Sequence, residues 1–531
     1  MALRINFNAE ATVTHTALLR NERAMNKSLL RISTGNRILS AADDAAGLFI
    51  ADQLSVVAAA LDQGNRNIQT GISALQIAET NVGQIFEKLQ TIYTKAQSAA
   101  NDINDPNARS ALQRDIQNLV DAIQKLGTDT EYNGIKLLDG TFSDKVIHYG
   151  ARANQTITVG IDSVKANDLG ANMVIGGGPL TNAVSASAVA GSAITNGYTA
   201  STGAVQTGTA WRWDTGDQAL VAGIGVSDGL SFAVDAKTIA DNINSASALQ
   251  NLGITARASN TSTAAAAWTD IQTGAGQSVE IKFFVGTDNT ADVTVTVGAN
   301  SVLTLSDLVT QINTQASQND LNITAKIDQG RLVLTTEGET IGLQVSASVA
   351  DSAGSLTVNM SQFLGLSAAA VNVIASVGTG SAASATGSAI QVGNLTIMGI
   401  DSFNYNFSGI STAGAGLGVA ASGNSSFKNL YSIDVTTNEN AELALDIVKT
   451  AIQKADKIRT QIGSVINNLQ AIWDGQKASY DNTKEAENVI RNTDFAAEMS
   501  TFVTMQIRMQ SGVAMLAQAN ALPQLVLQLL R

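Results

Sequence analysis

The sequence predicts a mostly α-helical core, an antiparallel coiled-coil bundle formed by both termini with a small β-hairpin region. It also predicts inserted α+β and β-rich outer domains. Three observations support this fold class. Apolar residues recur at heptad spacing near both ends of the chain. Long helical patterns with matching seams lie inside these two segments. In the centre, strand patterns and small residues replace the heptads.

The terminal helices are predicted from two apolar stripes. The first consists of residues seven apart, with Leu29 at the other seam position: Leu18, Met25, Ile32 and Leu39. The second advances by alternating steps of four and three: Phe495, Met499, Phe502, Gln506, Met509, Val513, Leu516 and Asn520. A single helix cannot bury its own stripe, so each helix requires a partner. Packing of both on an ordinary globular core remains the alternative.

Three longer helices are predicted between the terminal ones. Asp43 and Asp44 resemble the cap of the first, and Asp105 followed by Pro106 marks the start of the second. The third begins near Val448. Their shared apolar seam comprises Ile68, Ile72, Leu75, Phe86, Leu89, Ile116, Ile123, Ile452, Ile462 and Leu469. These matching seams predict one bundle.

A hairpin region is expected after the second long helix. Asn133–Gly134 and Asp139–Gly140 are turn dipeptides, and residues 156–161 alternate like a strand. The triple glycine at 176–178 lacks the Lys and Ser/Thr of a phosphate loop and is interpreted as a hinge to the central insertion.

The centre contains a repeat with an offset of 69 residues. Each copy is predicted to form a short helix and then a strand, with strand-like runs at residues 229–234, 293–297 and 331–336. The matched residues are Ile239, Ile243, Asn244, Leu252, Ile254, Thr255 and Ala256 in the first copy and Leu308, Ile312, Asn313, Leu321, Ile323, Thr324 and Ala325 in the second.

Composition excludes several classes of protein. Residues 180–415 contain 6 Lys and Arg against 16 Asp and Glu, so they carry −10 of the total charge of −13, and no basic face serves nucleic acid. The absence of cysteine excludes disulfides and thiolate metal sites. No run reaches the ~18 apolar residues of a membrane span, and no cleaved secretory signal is expected.

Several motifs resemble those of bacterial flagellin. RISTGNRI from Arg31 and SAADDAAGLFIADQL from Ser40 resemble its N-terminal signature. NTDFAAEMS from Asn492 and LAQANALPQLVLQLLR from Leu516 resemble its C-terminal signature. NGIKLLDG from Asn133 is similar to its hairpin segment, and GRLVLTTEG from Gly330 is similar to a repeat of its outer domains. The resemblance covers roughly residues 1–165 and 430–531, with weaker similarity between them.

The resemblance implies an exported subunit of the extracellular flagellar filament that leaves through the flagellar type III system without a cleaved signal. The implied partners are other copies of the chain, hook–filament junction proteins, the filament cap and an export chaperone, without cofactors. The domains expected from this reading are 1–43 and 489–531 for the inner coiled coil, 44–175 and 421–488 for the outer bundle, and 176–420 for the surface domains.

One segment departs from the family pattern. Flagellins sensed by the animal Toll-like receptor carry Gln, Arg, Ile or Val, Arg, Glu, Leu on the outer helix. The corresponding residues here are Gln90, Thr91, Ile92, Tyr93, Thr94 and Lys95, with Asp115 on the second helix. Because both arginines and the glutamate are replaced, recognition by that receptor is doubtful.

Other classes of function are kept as alternatives. A hook–filament junction protein shares flagellin-like ends, and a coiled-coil adhesin or phage fibre shares heptads but requires neither signature. A flagellin with an enzymatic insertion requires a catalytic or metal cluster, which the centre lacks. The chain has two histidines, His15 and His148, and neither lies near a nucleophile or at metal-ligand spacing. The sequence therefore predicts a structural protein rather than an enzyme.

Overall fold

A computed structural model describes residues 8–101, 103–176, 180–184, 187–189, 213–214, 216–231, 233–287, 290–350, 354–365, 372–376, 382–412 and 415–529. Its helices are α1 (Ala9–Thr34), α2 (Ala45–Ala99), α3 (Pro106–Asp129), α4 (Ala236–Ser245), α5 (Ser247–Asn251), α6 (Leu305–Gln318), α7 (Asn438–Arg491) and α8 (Phe495–Leu529). Gly177 and Gly178 of the predicted hinge lie outside the described residues.

The strands follow the same chain order. They are β1 (Glu131–Tyr132), β2 (Ile135–Lys136), β3 (Lys145–His148), β4 (Thr156–Val159), β5 (Gly170–Ile175), β6 (Leu180–Val184), β7 (Ser187–Val189), β8 (Leu220–Val221), β9 (Ile224–Gly225), β10 (Ile254–Thr263), β11 (Ile271–Gln272), β12 (Gln277–Val285), β13 (Val293–Val297), β14 (Val302–Leu303), β15 (Ile323–Asp328), β16 (Arg331–Thr336), β17 (Ile341–Val349), β18 (Ser355–Asn359), β19 (Asn372–Ser376), β20 (Ala383–Val392), β21 (Asn394–Gly399), β22 (Asn404–Asn406), β23 (Ser411–Thr412), β24 (Ala415–Gly416), β25 (Ser422–Asn424) and β26 (Ser426–Asn429).

The chain divides into two compact units. The first comprises Met1–Asn81, Thr130–Asp162 and Arg459–Arg531, and the second comprises Val82–Asp129 and Ser163–Ile458. A helical core and a strand-rich middle region are thus both present, which confirms the predicted fold class.

In the first unit, the β3–β4 hairpin lies directly on α2. A Cβ added to Gly64 would overlap the carbonyl oxygen of Tyr149, so only glycine permits this approach. Asn67 Nδ2 donates to the carbonyl oxygen of His148 at 2.9 Å, which holds the end of the hairpin against the helix. The predicted turn at Asn133–Gly134 joins β1 to β2 with φ values of 49° and 76°, as a two-residue hairpin turn requires.

In the second unit, α3 begins where the sequence predicts. Asp105 Oδ1 accepts a hydrogen bond from the Ala108 amide at 2.7 Å, and Pro106 is the first helical residue. Ile116 and Ile123 of α3 are buried, as are Leu89 and Ile92 of α2. These apolar faces form the helical part of the core.

The second unit also contains a six-stranded and a five-stranded sheet. Their strand orders are β15-β16-β10-β21-β5-β26 and β13-β12-β17-β20-β6. β5 and β26 lie on the bundle side of the predicted domain limits at 175/176 and 420/421, yet β5 pairs with β21 of the centre. The predicted limits therefore cut through one sheet, because strand pairing joins segments far apart in sequence.

The two copies of the repeat fold alike. In the first, the Asn244 side chain donates to the Ala256 carbonyl at 2.8 Å and accepts from its amide at 2.9 Å. In the second, Asn313 makes the same pair of bonds with Ala325, at 2.9 and 2.8 Å. Each helix is thus fastened to its own following strand by an asparagine that satisfies a strand peptide group.

Two expectations need correction. Residues 229–234 were expected to form a strand, but Gly229 adopts a left-handed conformation, φ 81°, in a turn, and no described residue of the run belongs to a strand.

Within the described part of the chain, α2 contains an 18-residue window apolar enough, at mean hydropathy 1.5, to cross a membrane by length and composition alone. The prediction that no stretch of the chain is apolar enough for a membrane span is therefore wrong by this criterion, which allows isolated charged residues within the window.

Candidate self-assembly surface

Helices α1 and α8 form an antiparallel pair within the first unit. Near one end, Asn8 Nδ2 donates to the carbonyl oxygen of Ala519 at 2.8 Å. Near the other end, Ser28 Oγ donates to the carbonyl oxygen of Glu498 at 3.4 Å. Increasing residue numbers on α1 therefore correspond to decreasing numbers on α8, which is the arrangement expected of helices from opposite ends of one chain.

The pair buries one narrow seam. On α1, Leu18, Met25 and Ile32 are half-buried and Ser28 is buried, whereas Leu29 is 50% exposed. The prediction that Leu29 fills the other seam position is therefore wrong, and the smaller Ser28 takes that place. Leu39 is half-buried but lies beyond α1, because Gly35 at φ 73° caps the helix.

On α8 the seam differs from the predicted stripe at every second position. Phe502, Met509 and Leu516 are half-buried and lie in the seam, as the sequence predicts. The positions between them are supplied by residues one place earlier than predicted: Glu498, Met505, Gly512 and Ala519. Gly512 lets Leu18 approach, since an added Cβ would lie 3.2 Å from Leu18 Cδ1. Small residues allow close packing at this seam.

The remaining predicted stripe residues lie on an exposed apolar face. Gln506 and Asn520 are exposed as well. The large apolar side chains of the two helices that remain 38–70% exposed are Val13, Leu19, Leu29, Leu30, Phe495, Met499, Val503, Ile507, Val513 and Met515. We call these ten residues, which are distributed around both helices, the apolar terminal face. So many exposed large apolar side chains on one pair of helices indicate a binding surface.

The linkers next to the helix pair form a clasp. The Thr493 amide donates to the carbonyl oxygen of Gly35 at 2.9 Å, and the Arg37 amide donates to the carbonyl oxygen of Arg491 at 2.7 Å. The Arg37 guanidinium also donates to the carbonyl oxygen of Ile490 at 2.7 Å. These bonds join the linker after α1 to the last turn of α7 and to Thr493 in the linker before α8, so the two terminal helices start from one anchored point.

Asp43 holds the linker that follows the clasp. Its carboxylate pairs with Lys27 and accepts hydrogen bonds from the amides of Leu39 at 3.1 Å and Ser40 at 3.2 Å. The Lys27 hydrogen bond, followed by those amides, lowers the pKa of Asp43 to about 2. Asp43 therefore organises the linker rather than capping α2, a role taken by Asp44, which accepts from the Gly47 amide at 2.8 Å.

We expect the Asp43 contacts to make the linker sensitive to acid. Because its folded pKa lies below the ordinary value of about 3.9, the contribution of Asp43 to stability is complete above pH ~4. It is lost as the pH falls from ~4 to ~2. Thermal unfolding of the monomer between pH 5 and 2 should therefore be less steeply pH-dependent in Asp43→Asn than in the unchanged chain. Equal slopes for the two proteins contradict this role.

The seam residues predicted for the long helices are distributed between the two units. Those that are fully buried are Ile68, Leu75, Ile462 and Leu469 in the first unit and Leu89, Ile116 and Ile123 in the second. Ile72, Phe86 and Ile452 are half-buried. In the first unit, α2 and α7 are antiparallel, because Asp52 lies 3.6 Å from Arg491 while a Cβ at Gly71 would lie 3.8 Å from Leu469.

The segment that departs from the family pattern lies on α2 in the second unit. Ile92 is buried, Tyr93 is half-buried, and Gln90, Thr91 and Thr94 are exposed. Lys95 Nζ contacts Asp115 Oδ2 at 2.9 Å across the two helices, with side chains 29% and 57% exposed. Such a surface pair contributes about 0–1 kcal/mol to stability. The Asp115 carboxylate is therefore already paired with a cation of its own chain.

Comparison with known proteins gives consistent matches over both terminal regions. Residues 5–143 match the family model of the bacterial flagellin N-terminal helical region, and residues 445–530 match that of the C-terminal helical region. Flagellin of Aquifex pyrophilus is 52% identical and that of Aquifex aeolicus 49% identical, each over 100% of both chains. The solved structure of FliC from Burkholderia pseudomallei is 15% identical, covers 75% of this chain and 99% of its own, and has a TM-score of 0.27.

Proposed function

The chain belongs to the bacterial flagellin family, and from this premise we propose that the apolar terminal face is the surface through which copies of this filament subunit polymerise. As a member of that family, the protein is a structural subunit of the extracellular flagellar filament that serves motility. The hook–filament junction alternative is less supported, since relatives that match over the full length are flagellins.

The observation that carries the proposal is the exposure of ten large apolar side chains on two helices that already share a seam. Completing the burial of one half-exposed side chain of this kind stabilises by roughly 1 kcal/mol. Ordering a residue costs about 1–2 kcal/mol of conformational entropy. The helix pair alone is therefore only marginally stable and gains further stability from contacts with neighbouring copies. Folding of the terminal helices and assembly are therefore coupled.

Seeded polymerisation tests this function. Purified monomer is added to short filament fragments, and growth is followed by electron microscopy and light scattering. Long filaments that extend from the seeds are expected of a filament subunit. Only short caps on the seeds, without elongation, are the result expected of a junction protein and contradict the proposal.

The remaining assignments follow from the family. We expect export by the flagellar type III system without a cleaved signal peptide. The expected partners are the hook–filament junction proteins, the filament cap protein and an export chaperone. We also expect no catalytic activity, because the family is structural. Mass spectrometry of culture medium should find the unchanged chain at its full length, and deleting residues of the N-terminal segment should abolish its export.

The centre is expected to be dispensable for polymerisation. A chain in which residue 175 is joined to residue 420 by a short flexible linker retains α1, α8 and the apolar terminal face, and it should form thinner, smoother filaments. It also retains β5 and β26 without the β21 that pairs with β5, so an unpaired edge is exposed.

A second deletion serves as its control. Joining residue 169 to residue 430 removes β5 and β26 as well, and the register pairing of Gly170 with Asn429 places the two cut ends side by side. We expect this version to aggregate less and still to polymerise. If neither version grows filaments while circular dichroism reports full helix content, the centre makes contacts that assembly requires.

The chain is also expected to activate the mammalian flagellin receptor poorly. Thr91 and Tyr93 cannot replace the bidentate donors of two arginines. Lys95 brings a charge that must be desolvated in any apolar contact, and it already pairs with Asp115. A cell reporter assay should show at least a tenfold weaker response to the unchanged monomer than to the variant Thr91→Arg, Tyr93→Arg, Thr94→Glu, Lys95→Leu.

Asp115→Asn is a control that separates the intramolecular pair from the receptor contact. It frees Lys95 without restoring the arginines, so the response should stay low. Full signalling by the unchanged monomer means that other residues dominate the interface and that the replaced segment has no consequence for recognition.

A further inference from the structure

Helix α6 lies along the open edges of two sheets in the second unit. β13 ends the five-stranded sheet and β15 ends the six-stranded sheet, so within the described part of the chain each has a neighbouring strand on one side only. α6 contacts both of these strands. The open side of an edge strand presents peptide N–H and C=O groups to which a strand of another chain can add. α6 therefore lies where such an addition would take place.

Gln315 of α6 occupies the open side of β13. Its Oε1 accepts a hydrogen bond from the Thr294 amide at 2.9 Å, and its Nε2 donates to the Thr294 carbonyl oxygen at 2.9 Å. In an antiparallel ladder both peptide groups of a residue point to the same side, and those of Thr294 point away from β12. Asn319 Nδ2 donates to the carbonyl oxygen of Asp292, just before β13, at 2.9 Å. Gln315 thus makes the pair of bonds that an added strand would make.

Asn313 of the same helix covers the open side of β15. One side chain binds both the amide and the carbonyl oxygen of Ala325, at 2.8 and 2.9 Å. In the first copy of the repeat, Asn244 binds Ala256 of β10 in the same way, beyond the reach of β16, which pairs with residues 260–263 of that strand. Three open stretches of strand are therefore each covered by one amide side chain.

Of the two end strands, β13 is the more prone to pair with another chain. Residues 293–297 read VTVTV, an alternation of β-branched residues without a charge, which favours strand addition between chains. β15 instead contains Lys326 and Asp328, and charges on an edge strand oppose such pairing. Gln315 has no counterpart in the first copy of the repeat, where Ala246 lies 69 residues earlier. It is therefore specific to the helix that borders β13.

We propose that Gln315 and Asn313 are edge guards, which keep β13 and β15 from pairing with the same strands of a second copy of this chain. A second copy is the partner to exclude because it carries an identical edge, and two such edges can pair antiparallel about a two-fold axis. In a filament the copies lie side by side at high effective concentration, so even a weakly pairing edge would join them. This role concerns the strand-rich middle region and is separate from polymerisation through the apolar terminal face.

Gln315→Ala in the full chain tests the guard on β13. Alanine has the highest helix propensity, so α6 is kept while both bonds to Thr294 are removed. The association constant is measured by sedimentation, without seeds, at concentrations where the unchanged chain is monomeric. It should rise about tenfold or more, since the two freed peptide groups can bond to another copy. Thioflavin T should bind the products, as expected of strands joined between chains.

Gln318→Ala is the matched control for this variant. Gln318 is of the same residue type and is exposed on the same helix, so its loss should alter the association constant by less than about twofold. Asn313→Ala should increase association less than Gln315→Ala does, because Lys326 and Asp328 remain on β15. The reverse order contradicts the proposed roles of the two guards.

Gln315→Lys separates an open edge from lost stability. An ammonium group cannot accept from the Thr294 amide, so the native pair of bonds is broken here too, but a charge now lies at the edge. The melting temperature should fall, as in Gln315→Ala, whereas the chain should stay monomeric. Equal association of the two variants means that lost stability alone drives it, and this result overturns the proposal.

A charge on β13 itself provides an independent readout. Thr296 is exposed and lies opposite Glu280, so Thr296→Lys adds a favourable cross-strand pair. Combined with Gln315→Ala, it should return the association constant to within about twofold of that of the unchanged chain. Because it does not replace the lost bonds, it cannot correct a folding defect. Association that persists in the double variant, or a folded Gln315→Ala that stays monomeric, rules out edge guarding.

Discussion

Ile507→Asp is expected to abolish filament growth while leaving the monomer as helical as before. Ile507 lies on the apolar terminal face and is 57% exposed, so a carboxylate there is hydrated in the monomer. In the proposed polymer the same position is covered by a neighbouring copy, where an unpaired carboxylate costs several kcal/mol. Each 1.4 kcal/mol per subunit raises the critical concentration about tenfold, so growth should fall below detection in scattering and microscopy.

Two further substitutions complete this test. Phe502→Asp places the charge on the seam between α1 and α8, so it should block assembly and also lower the thermal stability of the monomer. Thr501→Asp lies beside that position at an exposed polar site and should have a milder effect on both. If all three variants assemble equally well, the apolar terminal face is not the polymerising surface.

Deletion of residues 489–531 is expected to give a soluble, partly folded monomer that does not polymerise. It removes α8, the clasp partner Thr493 and six members of the apolar terminal face. Helix α1 then has no partner, and most of the stability of a helix in a protein comes from packing of its apolar face rather than from helix propensity. Circular dichroism should therefore record a loss of helix larger than the deleted residues explain, and filament growth by this chain contradicts the role of the terminal helices.

The helices were predictable because their signals are local. Asp105–Pro106 and Asn133–Gly134 adopt the cap and the turn expected of them. The phase of the seam on α8 was not predictable in the same way. Apolar residues such as Val503, Ile507 and Met515 surround that helix, so steps of four and three fit more than one face. A helix that contacts both its own chain and other copies needs several such faces.

Features that depend on strand pairing between distant segments could not be predicted from the sequence. β5 and β26 are short, and their position in a sheet with β10 and β21 follows from contacts between segments hundreds of residues apart. The close approach of Gly338 to Gly393 is a similar case, since these two glycines lie in connections that are far apart in sequence. Repeats, by contrast, were detectable because the same local pattern occurs twice.

The clasp at Gly35, Arg37 and Thr493 determines the effective concentration at which α1 and α8 meet. Two helices tethered at one end encounter each other intramolecularly, at a concentration in the millimolar range for short links. Their pairing is consequently independent of how dilute the protein is, whereas every contact between copies becomes weaker on dilution. A dilute pool of subunits would then keep the same fraction of paired terminal helices as a concentrated pool of monomers and still be unable to start a polymer.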